Sequence, residues 1–585
     1  MNEEQKSIWK KSWKGPGGLW LWFILLTVAA FVVILCVGLA SGRDNPTVRL
    51  VLFAFLYAIG FAIVGVLVVW FIKWVCCWRN FRRFFFGLAC FATLIALFYA
   101  EENWRGQRAW EKYRRTWEAK GEKFDLASLA PPPVSDEQNF AMTPLLKSAL
   151  DFTRTTNGTV WRDTNAWARL CNVSIEKATA TSNIKKLVLG NLEQGTLADL
   201  EACGNFYRGN TNYPQSPQAG TAAETILAAL GKYDGELAEL AAAAARPRSR
   251  FPVDYDYEMP AAILLPHLAN LKGLCSATQL RAIARLEVEQ SAEAFADLQL
   301  GFRLSDSVRD EPILISHLVR IATLGIVLQT VREGLARHAW NEEQLSAIEK
   351  ELASVNLFTE SKNAMRGERA LGVGCIEWAR RQGLKFDLYQ IDGDATPFAR
   401  VANFMPRGWL YQNMLAISQM HQDFTIGMAD ENTRRVLPGI VAAGDAASAD
   451  LACERMHPYK IFAALLFPAV NKAVIRSARM QTYVDATRVA CALERFRLAN
   501  GQIPEKLDAL VPRFLAAIPN DVMDGQPLRF HPTPDGGYVL YSIGWNKTDD
   551  HGELAWAKKE KQSTVDANNG DWVWKFPVKQ ARRKR

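Results

Sequence analysis

Seven histidines are spread over 585 residues, and two of them stand where acid–base chemistry could be housed. His267 follows a proline at the start of a helical pattern, and His317 lies inside a long apolar run. An imidazole titrates near neutrality, so either could act as a general base with a carboxylate beside it. The apolar neighbours of His317 point to a hydrogen-bonded core imidazole. Glu287, Glu289 and Glu293 fall on one helical pattern and could aim two carboxylates the same way, although such a run is ordinarily a solvated face. Asp392 and Asp394 flank Gly393 in a loop, too few acids for a cation that takes about six to eight oxygen ligands. A further polar cluster, Asn546, Asp549, Asp550 and Glu553, follows Ser542-Ile543-Gly544. The chain has no H-E-x-x-H, P-loop, G-x-S-x-G or dinucleotide fingerprint. Its ten cysteines show no C-x-x-C spacing, with Cys76-Cys77 adjacent, so buried free thiols are expected rather than a disulfide framework.

The last cluster belongs to a stretch with a definite order of elements, Ala486–Glu553. Val489, Leu493 and Phe496 recur at helical spacing. Asn500-Gly501 is a helix stop, because glycine accepts the left-handed conformation that ends helices, and Pro504 forbids continuation. Leu507, Leu510 and Val511 predict one short helical turn docking on that helix. Pro519 to Gly525 is a turn-rich connection. Pro527–His531 and Tyr538–Ile543 are strand candidates, joined by Pro532, Pro534, Asp535, Gly536 and Gly537 as hairpin turn residues.

This order resembles the globular part of the major pseudopilins of type II secretion systems. In that family a long helix ends in G-x-x-P-x-x-L-x-x-L, and P-x-D-x-x-G, a small hairpin, Y-S-x-G and an acidic loop follow. The matching residues are Gly501, Pro504, Leu507 and Leu510; then Pro519, Asp521 and Gly525, with Asp524 as an extra residue; then Tyr541, Ser542 and Gly544. The resemblance implies a small α+β module whose acidic loop binds calcium through Asn546, Asp549 and Asp550, with Asn546 standing where the family usually has Asp. A solvated acidic turn is the alternative. The helix before the module is internal and has no basic leader, so the resemblance does not extend to processing and polymerisation as a pilin subunit. The whole chain also resembles a group of uncharacterised bacterial multi-span membrane proteins, through P-P-P-V-x-D-x-Q-N-F at Pro131–Phe140 and G-D-W-V-W at Gly570–Trp574.

The elements ahead of the module read as a membrane anchor and a helical body. Leu19–Ala40, Leu50–Ile72 and Phe84–Ala100 are apolar runs of a length that can cross a hydrocarbon core of about 30 Å, which makes 1–100 an anchor of three transmembrane helices. Trp20, Trp22, Trp70, Trp74, Trp78 and Trp104 cluster at their ends, as interfacial anchors do. Lysines in the N-terminal tail and Lys73, Arg79, Arg82 and Arg83 in the second connection outnumber Arg43 and Arg49 in the first. The positive-inside rule then places the N-terminus in the cytoplasm and the body outside it, at a bacterial inner membrane. Residues 101–139 form a charged helix and a stiff linker at Pro131-Pro132-Pro133.

The body, 140–467, is an α-helical bundle or solenoid-like array, interrupted by polar loops near Thr155–Asp163, Asn205–Gly220 and Arg246–Tyr257. Ser276 is expected to cap a helix running to about Ser305. The next helix, opened by Asp310 and Pro312, is apolar nearly all round and reads as the buried centre of the bundle. Asn341 and Gln344 form a capping box. Leu384–Phe404 is a loop. Residues 468–576 are the long helix and the module, and 577–585 are a basic tail.

The fold class expected is therefore mainly α, with three N-terminal spans and a small C-terminal α+β module. The formal charge of +8 is modest and dispersed, unlike a nucleic-acid footprint. The expected partners are the lipid bilayer and other envelope or secretion proteins. The functional expectation is a membrane-anchored, non-catalytic envelope protein with an extracytoplasmic interaction domain. An envelope hydrolase using His267 or His317 is the alternative: a deep polar pocket at either imidazole would favour it, and burial without a cavity would count against it.

Overall fold

A computed structural model describes residues 78–155, 158–176, 187–216, 220–382, 405–453, 457–534, 536–559 and 562–576, with scattered positions between 26 and 71. The chain is mainly helical, with small antiparallel sheets, and divides into two compact units, Met1–Glu101 and Glu102–Arg585. Most of Leu19–Ala40, eleven of the 23 residues of Leu50–Ile72 and all of Leu384–Phe404 lie outside the described residues.

Among the described residues, two helices are long and apolar enough to cross a membrane, α1 (Trp78–Glu118) and a later helix, Leu314–Ala336. They differ in what surrounds them. In the first unit α1 exposes Phe86, Phe91, Leu94 and Leu97, the surface a lipid-facing helix presents. Leu314–Ala336 is mostly buried in protein, so it is a core helix, as its His317, Arg320 and Gln329 suggest.

In the second unit the C-terminal end of α1 is part of the body. Gly106 meets the backbone of Gly408 so closely that a Cβ would lie 2.2 Å from the Gly408 carbonyl oxygen, which only glycine permits. Trp409 Nε1 donates to the buried Glu102 carboxylate at 2.9 Å, and the amide of Gly408 donates to Asn103 Oδ1 at 2.7 Å. Trp110 is buried on the same side.

The centre of the body is built from α2 (His267–Glu287), α3 (Ser291–Asp306), α4 (Leu314–Ala336), α5 (Glu342–Ala353) and α6 (Leu357–Gln382). The single helix expected from Ser276 to Ser305 is two helices. Glu289 adopts φ 63°, which reverses the chain, and Ser276 lies inside α2 rather than at a cap. The Asn341–Gln344 capping box opens α5 as the spacing predicts. α4 runs through the core with Leu324, Val327, Leu328, Val331 and Leu335 fully enclosed. The expected loop at Thr155–Asp163 includes part of a hairpin, β1 (Phe152–Thr155) with β2 (Gly158–Trp161).

Helix α7 (Arg407–His421) and the short strands β3 (Ala429–Asp430) and β4 (Arg435–Val436) lead to α8 (Pro468–Asn500). Gly501 ends α8 at φ 79°, and Leu507–Leu510 forms the short turn. β5 (Arg529–Pro532) and β6 (Tyr538–Ser542) pair as the expected hairpin. Three further strands follow: β7 (Leu554–Lys559), β8 (Gln562–Gly570) and β9 (Trp572–Lys575). β9 returns to pair with β6, setting Leu540 opposite Trp574. Val489 and Leu493 of α8, Leu540 and Trp574 of the sheet, and Val331 of α4 share one apolar core. The C-terminal module is therefore continuous with the body across the expected boundary at 467.

Candidate functional site

The two histidines singled out for catalysis are sealed. Pro266 places His267 at the first turn of α2, stacked on Phe251 with ring centroids 4.3 Å apart. Its Nε2 lies 3.0 Å from Glu311 Oε1, and Ser316 Oγ donates to the other carboxylate oxygen at 2.6 Å. A carboxylate thus separates imidazole from hydroxyl, and all three groups are buried. Base activation of a serine needs the imidazole itself on the hydroxyl.

His317 does meet a serine, with Nε2 2.8 Å from Ser477 Oγ on α8. Ser477 Oγ donates its proton to the Ala473 carbonyl at 3.0 Å. The imidazole must then donate to Ser477, the reverse of what a general base does. Burial, with Arg320 adding to it, pushes His317 down to about 3, so the ring is neutral. One turn on, Arg320 pairs with Asp306 at 2.5 Å and Glu360 at 3.5 Å and donates to Ser305 Oγ, tying α3, α4 and α6 together. Neither imidazole lines the two cavities of about 1010 and 850 Å³ found among the described residues.

The C-terminal motif residues come together around a carboxylate. Buried Asp521 accepts from Ser542 Oγ at 2.7 Å, from the amides of Met523 and Ile543, and from Arg529 Nη1. The P-x-D and Y-S-x-G pieces are thus held to each other. Arg529 also binds Asp524 and reaches Asp549 Oδ2 at 3.3 Å. Burial opposes ionisation of Asp549, but the His551 amide, the Tyr541 hydroxyl and Arg529 outweigh it, and its pKa falls below the usual carboxylate range. Asn546 Nδ2 donates to Asp550 Oδ2 at 3.4 Å. The loop therefore brings Asn546 and Asp550 together and turns Asp549 to a guanidinium. Among the described residues, no three His, Cys, Asp or Glu side chains form a group that could hold a metal ion. The set does not fit calcium in this arrangement, since Arg529 already meets Asp549.

The larger cavity, about 1010 Å³, lies between α2, α4, α8 and the segment 187–196. Its size falls at the top of the range for small-molecule sites. Helical spacing explains its walls. Ala269, Gly273 and Ser276 form a small-residue stripe on α2, and Ala322 and Gly325 do so on α4. Gly273 and Gly325 let the Val173 carbonyl and Met480 pack close, 3.1 and 3.2 Å from where a Cβ would lie, while the short alanine and serine side chains leave space beside them. Leu318, Ile321, Ile326 and Met480 make the wall apolar. Exposed Lys272 and Arg476 line it, as does Arg479, which pairs with Glu193. Buried Gln279 and Gln329 meet the loop at Leu189–Gly190: Gln279 Nε2 donates to the Leu189 carbonyl, and Gln329 packs on Gly190. Among the described residues, no histidine, cysteine, aspartate or tyrosine lines it, while Ser174, Ser276, Glu176 and Glu193 do. The small-residue stripes were present in the sequence, but only the crossing of three distant helices makes them a cavity.

A second cavity of about 850 Å³ is lined by Trp110, Tyr411 and several acids, of which Glu122 is taken up by Arg366 and Arg369. No protein-family model, curated protein or solved structure matches the chain, so its site is read from its own geometry.

Proposed function

We propose that this chain is a membrane-anchored, non-catalytic envelope protein that works by binding. The observation that carries the reading is the lining of the large cavity. It offers an apolar wall, two buried amides and the exposed cations Lys272 and Arg476, the furnishings of a binding cavity, and neither candidate imidazole reaches it. The imidazoles that a hydrolase would use are enclosed and committed to structural partners. Three N-terminal spans would tether the body, and the positive-inside bias of the first connections favours an extracytoplasmic body at an inner membrane.

Native mass spectrometry of the full-length protein, released from membranes, tests this. Wild type is expected to retain a discrete small-molecule mass that Ala322→Leu, which narrows the cavity midway along α4, lacks. Identical spectra free of any added mass would overturn the reading.

A second reading concerns partners and is favoured by the bond between Asp521 and Ser542, which joins the pseudopilin-like motif pieces into one unit. The module would contact other envelope proteins, including those of secretion or pilus-like assemblies. Crosslinking in cells from exposed Trp556 on β7 is expected to capture such a protein, and capture of abundant neighbours alone would count against it.

A further inference from the structure

Several features of the large cavity describe the chemistry of what fills it. First, polar side chains gather towards its two ends, with Ile321, Ala322, Ile326 and Met480 between them and Ser276 on the facing wall. Gln279 and Gln329 meet at the Leu189–Gly190 loop. Lys272 lies two turns back along α2, and Arg476 sits beside Ser477, the partner of His317 at the opposite end of the α4 stripe. Leu318 to Gln329 spans about 16 Å of helix, the length of one extended chain.

Second, the charges differ between the ends. Lys272 and Arg476 are exposed, and among the described residues no carboxylate pairs with either. Of the two acids on the wall, Glu193 is bound to Arg479, so among the described lining residues Lys272 and Arg476 outnumber the one remaining acid, Glu176. The exposed end therefore favours an anion.

Third, Gln329 is 3% exposed and spends its amide N–H groups on the Thr196 carbonyl at 3.1 Å and Glu333 Oε1 at 2.8 Å. Its carbonyl oxygen is buried with no donor, a costly state that a ligand hydroxyl would relieve.

We infer that the cavity takes a single-chain amphipathic anion, with its acidic head at Lys272 and Arg476, its chain along α4, and a hydroxyl at the far end preferred by Gln329. This inference rests on the binding role proposed above. The head can be a carboxylate or a phosphate, since exposed lysine and arginine recognise either.

The test uses full-length protein in nanodiscs of zwitterionic lipid, with radiolabelled hexadecanoate, 16-hydroxyhexadecanoate, hexadecyl phosphate and hexadecan-1-ol as probes. Saturable binding of the three acids above that of empty nanodiscs is expected, with hexadecan-1-ol at least about tenfold weaker, the worth of two partly exposed charge contacts. Lys272→Gln with Arg476→Gln should remove that difference, and Ala322→Leu should abolish binding of all four. Should Ala322→Leu fold poorly, Gly325→Leu on the same stripe obstructs the same stretch by pushing the Met480 side chain, 3.2 Å from where its Cβ would lie, into the cavity. The hydroxy acid should bind more tightly than hexadecanoate in wild type but not in Gln329→Leu, and equal binding in wild type would overturn the role given to Gln329. Selectivity between carboxylate and phosphate would name the head. Equal binding of hexadecan-1-ol would overturn the anion assignment while leaving the binding role in place. Absence of saturable binding by every probe overturns this inference. The binding role falls with it only if native mass spectrometry also finds no retained molecule.

Discussion

Helix α4 carries two polar regions that the fold treats in opposite ways. At His317 and Arg320 every neighbour closes in: Ser477 from α8, Asp306 from α3 and Glu360 from α6 meet the helix and leave no space. Along Ala322 and Ile326 the helix is only half-buried, and about 1010 Å³ is left beside it, closed at one end by the buried Gln329. The first region holds the residues that look most like chemistry in the sequence. The second holds residues that look like nothing in particular. The difference teaches that a titratable side chain in an apolar helix is more informative about packing than about function until its access is known. Small residues on facing stripes locate the place a ligand can reach.

The largest effect expected from disturbing this contrast is at Arg320. Arg320→Leu leaves Asp306 and Glu360 facing each other without their cation, and loss of one partner from a buried pair costs about 3–5 kcal/mol. Denaturant unfolding of the full-length protein should show it, with Ala322→Leu within about 1 kcal/mol of wild type. Equal losses would erase the distinction between sealed and open regions.

In the module, Asp521→Ala should cost about 2–3 kcal/mol, because it orphans the Ser542 hydroxyl, two amides and one arm of Arg529. Asp549→Ala with Asp550→Ala should cost about 0.5 kcal/mol or less, since both are on the surface loop. Millimolar calcium is expected to leave the melting temperature of wild type unchanged. A rise that the double variant abolishes would restore the calcium reading of Asn546, Asp549 and Asp550.

The sealed region should also show in the pH dependence of stability. Burial, opposed by Arg320, raises Glu360 to about 7, and Asp306 adds to the rise. Between its ordinary 4.5 and that value the folded protein holds a proton that the unfolded chain releases, so this group's stabilisation fades as pH rises through the window. His317 and His421, each pushed down to about 3 by burial, act the other way. They favour the folded state above 6.5, and their contribution is lost as pH falls towards 3. Glu360→Gln should therefore steepen the acid loss of stability between pH 6.5 and 4.5, and an unchanged slope would contradict the assignment.

How far the sequence could be read follows the same division between local and distant causes. The end of α8 at Gly501, the Asn341–Gln344 capping box and the β5–β6 hairpin were legible because each is decided by residues a few positions apart. The break between α2 and α3 was not, since Glu289 takes a left-handed conformation with no glycine to announce it. β9 was also hidden. Trp572, Val573 and Trp574 are buried in succession, so the strand lacks the alternation that marks a half-buried one. For His317 the apolar context foretold burial, but Ser477 lies 160 residues away and no spacing could pair them. The cavity depends on α2, α4 and α8 crossing at a distance, which is a tertiary property.

Hydrogen exchange on the full-length protein, reconstituted into nanodiscs with or without prior delipidation in detergent, tests the central claim most directly. Binding in the α4 cavity predicts that delipidation speeds exchange in Leu187–Thr196 and in the Lys272–Gln279 turns of α2. Exchange around His317, Arg320 and Ser477 should not change. Unchanged exchange along the cavity, or a response centred on His267 or His317, would contradict the account.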